Sequence, residues 1–70
     1  MIVAIFKTDI VQEKEAQEIV DQLKNKLPAY EINFDLEDCD NILRVYGTSD
    51  KTNFVVRFMS NMGFQCVPIL

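Results

Sequence analysis

Hydrophobic positions along this chain switch between two periods, and the switches mark six elements. Residues 2–8 form an apolar, β-branched run that predicts a first strand. Ala16, Ile19, Val20, Leu23 and Leu27 follow at spacings of three, one, three and four. That is one stripe of an amphipathic helix, with Glu15, Gln17, Glu18, Asp21, Gln22, Lys24 and Asn25 turned to solvent. Asp9 and Gln12 make a capping-box pattern at its entry. Pro28 stops it, because the residue before a proline avoids helical angles. From residue 30 to 37 the alternation is strict: Ile32, Phe34 and Leu36 point one way, and Glu31, Asn33, Asp35 and Glu37 the other. That predicts a half-buried strand.

Asp38-Cys39-Asp40-Asn41 reads as a turn, since Asp and Asn bond their own backbone there. Ile42 to Tyr46 returns as the second strand of a hairpin. Thr48 or Ser49 is placed to cap a second helix over residues 50–62, whose expected buried stripe is Phe54, Val55, Phe58, Met59 and Met62. Gly63 is the expected left-handed stop. Phe64 to Leu70 closes the chain as a strand, and Pro68 places that strand at a sheet edge. Strand, helix, strand, strand, helix, strand, joined by right-handed crossovers, predicts an α+β fold. It is a ferredoxin-like βαββαβ sandwich, with two helices on one face of a four-stranded antiparallel sheet in the spatial order 4-1-3-2. The expected helices lie near 11–27 and 50–62, and residues 1–70 are read as a single domain.

Composition narrows the chemistry. The chain is 49% hydrophobic and 26% charged, a globular balance. No apolar run approaches a membrane span. The opening Met1 to Phe6 lacks the basic start of a signal peptide, so a cytoplasmic location is expected. The net charge is −4, and the seven basic residues are scattered, which argues against nucleic acid and anionic membrane as partners. There is no histidine, so the commonest general base and transition-metal ligand is missing. No glycine-rich phosphate loop is present, and neither an enzyme activity nor a cofactor is expected.

The helix from Ile19 to Leu27 and the corner Gly63-Phe64, with the ending Met62-Gly63-Phe64-Gln65-Cys66-Val67-Pro68-Ile69-Leu70, resemble the heavy-metal-associated domains of copper chaperones and metal-ATPases. The resemblance covers essentially the whole chain and implies the same sandwich. It also implies a Cys-x-x-Cys metal loop at the entry to the first helix. Those positions fall near Glu13 and Ala16, and no cysteine occurs in residues 1–38. Cu(I) is soft and prefers thiolates, which glutamate and alanine do not replace. Phe64 carries over as the aromatic that would shield a metal; without one it is expected to plug the core.

The chain holds two other sets of potential metal ligands. Cys39 and Cys66 are expected at opposite sheet edges, roughly 14 Å apart across three strand spacings. A disulfide needs alpha carbons within about 7 Å, so the two are expected not to share a bond or an ion. Asp9, Glu13, Glu37, Asp38 and Asp40 form an acidic rim without the spacing of a calcium loop. No metal site is expected, with Cys39, Cys66 or the rim as the alternative ligands. The apolar alternation is more informative. Ile42, Tyr46, Val67 and Ile69 are out of phase with Leu43, Val45, Phe64 and Cys66, so they are expected on the face away from the helices. An apolar outer face suggests association. The expectation is a non-catalytic binding module that contacts a protein partner or a second copy through Ile42, Tyr46, Val67 and Ile69. The alternative function is metal binding or transfer through the non-standard ligands.

Overall fold

The structure, a computed structural model, describes residues 1–37 and 41–69. Its elements run β1 (Ile2–Thr8), α1 (Glu13–Lys26), β2 (Glu31–Asp35), β3 (Ile42–Gly47), α2 (Thr52–Asn61) and β4 (Cys66–Pro68). The strands form one sheet in the order β2-β3-β1-β4, every pairing antiparallel. Inward residues of the sheet and both helices share one hydrophobic cluster. This is the expected α+β sandwich, with β2 and β4 at the edges.

Why the core sits where it does follows from the register. Phe6 pairs with Leu43 and Pro68, and Leu43 with Phe34, so these four face the helices together. Ala4, Val45 and Ile32 make the next row. Ile19, Leu23, Val55 and Met59 close down on them from α1 and α2, each 1% exposed or less. Thr8 is the one buried polar residue among the described residues. Its hydroxyl donates to the Asn41 carbonyl at 2.7 Å and accepts from the Ile10 N–H at 3.3 Å.

The element ends depart from expectation in instructive ways. Asp9 does not cap α1: its carboxylate accepts from the Gln65 N–H at 3.0 Å and ties the end of β1 to the entry of β4. Gln12 occupies the N-cap without a side-chain bond, and α1 starts at Glu13. At α2 neither Thr48 nor Ser49 caps. Asp50 accepts from the Thr52 N–H at 2.8 Å and from its hydroxyl, and these bonds lower the Asp50 pKa. Phe54 and Met62 are about two-fifths exposed, and Val56 packs on the core in their place, because the helix turns its Val55–Met59 line inward. β4 is shorter than the expected 64–70, since Phe64 and Gln65 are still leaving the helix cap.

That cap is a Schellman motif. Gly63 has φ 88°, its N–H donates to Ser60 O at 3.0 Å, and the Phe64 N–H donates to Met59 O at 3.0 Å. Phe64 then packs on the core as expected. Nothing lies near a side chain added at Gly63, so only backbone strain opposes one. Gly63→Ala should therefore cost about 1–2 kcal/mol in urea unfolding, and Gly63→Asn clearly less. An alanine variant as stable as the parent would contradict the cap.

Candidate interaction surface

The ladder register assembles the outer sheet face row by row. Val3, Tyr46 and Glu31 form one row; Ile5, Arg44 and Asn33 form the next; Lys7, Ile42, Asp35 and Val67 form the third. The Ile69 N–H donates to Ile5 O at 2.8 Å, which sets Ile69 beside Ile5. Alternation therefore gives this face a graded character. The side of β4 and β1 is apolar apart from Lys7, and the side of β2 is acidic and polar.

Of the four residues singled out by alternation, three offer surface. Val67 is 54% exposed, Ile69 53%, and Tyr46 is half-buried. Ile42 shares their face but is only 5% exposed and stands apart from the main core cluster. It is buried, so it offers no contact area itself. Val3 and Ile5, both half-buried, complete the patch. Their signal was in the first strand, which is apolar on both faces where a solvated face would be polar. Arg44 spans the boundary, its guanidinium 3.5 Å from the Asp35 carboxylate. Both groups are about one-third exposed, so the pair orders side chains more than it stabilises the fold.

The residues considered for metal are arranged differently. Glu13 is exposed, while Ala16 is buried in the core cluster. Among the described residues no three Asp, Glu or Cys side chains converge as a metal cage. Cys39, Asp38 and Asp40 lie outside the described residues. Cys66 is half-buried, and burial, assisted by the Asp9 charge, pushes its thiol pKa up to about 12. A protonated thiol is a poor nucleophile and a poor ligand.

A second feature has no precedent in the residue pattern. A groove of about 810 Å³ runs between α1 and the free edge of β2. Its floor is Ala16, Val20, Ile32 and Phe34, and residues from both faces of β2 line it. A sequence shows that β2 is half-apolar; it does not show that α1 stops short of covering the strand's edge. The opposite edge, at β4, lacks one donor. Val67 pairs with Lys7 and Ile69 bonds Ile5, so the intervening Pro68 nitrogen points away from the sheet and carries no hydrogen. Among the described residues no helix is long and apolar enough to cross a membrane. No family model, no curated protein and no solved structure matches this chain.

Proposed function

We propose that this chain is a non-catalytic binding module, built like a heavy-metal-associated domain without its thiolate pair, that works by protein contact through its outer sheet face. The observation that supports this reading is the continuous run of Val67, Ile69, Ile5, Val3 and Tyr46 on a face no helix covers. Val67 and Ile69, each more than half exposed, form its apolar rim. Exposed apolar patches of this kind mark association surfaces. Tyr46 adds a broad ring with a polar tip, the sort of side chain enriched at interface centres. The acidic row on β2 restricts which orientation a partner can take.

Metal transfer through Cys66 has less support, because burial and the nearby Asp9 charge disfavour its thiolate and Glu13 and Ala16 supply no sulfur. The test uses Tyr46→Glu and Val67→Lys separately. Each should weaken self-association or a partner complex by about tenfold or more while far-UV circular dichroism and the unfolding midpoint hold. Sedimentation of the parent as a monomer at high concentration, together with identical partner recovery by parent and variants, would refute this reading.

A further inference from the structure

We propose that the free edge of β2, with the groove beside α1, is a second docking site that takes an extended polypeptide segment as an added antiparallel strand. The occupant is a partner segment whose basic residues alternate with small apolar ones. Three observations carry this. First, β2 is an edge strand of five residues, so its outward N–H and C=O groups have no strand neighbour on that side. Second, the groove lies along that edge and is lined by Ile32 and Phe34 on the helix side and by Asn33 and Asp35 on the outer side. An added strand would place alternate side chains against those two sets. Third, the outer row of β2 is acidic, with Glu31 exposed and Asp35 already engaged by Arg44. The outer row of β2 reads Glu31, Asn33, Asp35, so cross-strand partners there are favoured when basic. The helix-side partners meet Ala16, Val20 and Phe34, and Lys14 and Lys24 on the α1 wall disfavour a basic residue there, so small apolar ones fit.

The same charges oppose a second copy in the two-fold register centred on Asn33. Two β2 strands paired antiparallel about Asn33 would set Glu31 against Asp35 of the other copy, twice, which is repulsive. The β4 edge is a poorer site, since that strand has three residues and Pro68 removes one of its outward donors. Recognition is therefore by main chain plus charge pattern at the sheet edge; it shares the acidic row of β2 with the outer face proposed above but none of that face's apolar residues.

The probe is a blocked peptide of alternating lysine and valine, titrated into the full chain and followed by amide NMR. Shifts should centre on Glu31 to Asp35 and the facing turns of α1. N-methylating alternate peptide residues should weaken binding by at least about tenfold in one of the two frames and leave the other near the parent, because only one set of peptide N–H groups faces β2. Replacing the peptide lysines by glutamate should weaken binding comparably, and Glu31→Lys in the protein by about threefold. Four results overturn the proposal: no binding at millimolar peptide, equal tolerance of both N-methylated frames, shifts centred on Val67 and Ile69, or a dimer of the free chain formed through β2.

Discussion

Gly47→Ala should be among the most damaging conservative changes in this chain, although Gly47 has an ordinary backbone. It is the last residue of β3, paired with Ile2 and buried. The ring of Tyr30 lies directly on its alpha carbon, and a methyl built there would overlap Tyr30 at Cδ2 and Cε2. The ring has little freedom to yield. Its hydroxyl accepts from the Ser49 N–H at 3.1 Å and lies 2.8 Å from Ser49 Oγ, bonds that also lower the Tyr30 pKa. Tyr30 therefore staples the loop after α1 to the loop after β3, and glycine is the residue that lets the ring come down. Forcing the ring out should cost about 1–3 kcal/mol by overpacking, and it also breaks the solvent-exposed bonds that hold the ring in place. A domain of 70 residues has about 4–10 kcal/mol in total, so the variant should be visibly destabilised. The discriminating measurement is a double-mutant cycle in urea. On a Tyr30→Ala background the Gly47→Ala penalty should largely disappear. An equal penalty in both backgrounds would mean that the ring is not what glycine accommodates.

The contact of Tyr30 with Gly47 also illustrates where sequence reasoning stops. Periodicity carried the four strands, the hairpin and the two helices, because alternation encodes faces, and the element order with right-handed crossovers carried the strand order. It carried Gly63 and Phe64, because a helix stop is a local event. It failed at Asp9, Thr48 and Ser49, where a polar side chain near a helix start had a competing partner from elsewhere in the chain. Asp9 bonds Gln65, and Ser49 bonds Tyr30, contacts of long sequence separation that no capping pattern reports. At the candidate surface the phase of Ile42 was legible but its burial was not, since exposure depends on what lies over a residue as well as on its face. The β2 groove was invisible for the same reason: it is set by how far α1 reaches across the sheet. The two-sided apolar character of β1 was legible, and it remains the clearest sequence signal of an outer contact face.

Phe6 and Ile5 give the sharpest test of that two-sidedness, being adjacent in the central strand with opposite facings. Phe6 is fully buried and meets Leu43 and Pro68 across the ladder. Phe6→Ala leaves a cavity in the middle of the core that the paired strands on either side hold open. A loss of about 3–5 kcal/mol follows, which is a large part of the stability such a small domain has. Thermal unfolding should fall by roughly 12 °C or more, and part of the population should be unfolded at room temperature. Ile5→Ala removes a half-buried side chain from the outer face, beside Ile69 and Arg44, and should cost about 1 kcal/mol or less. The two variants should also separate in association. Phe6→Ala weakens any complex only as far as it unfolds the chain. Ile5→Ala weakens a complex through the outer face while the fold persists. Comparable loss of stability in both variants would mean that the outer face is core, and the contact surface argued from it would go with it.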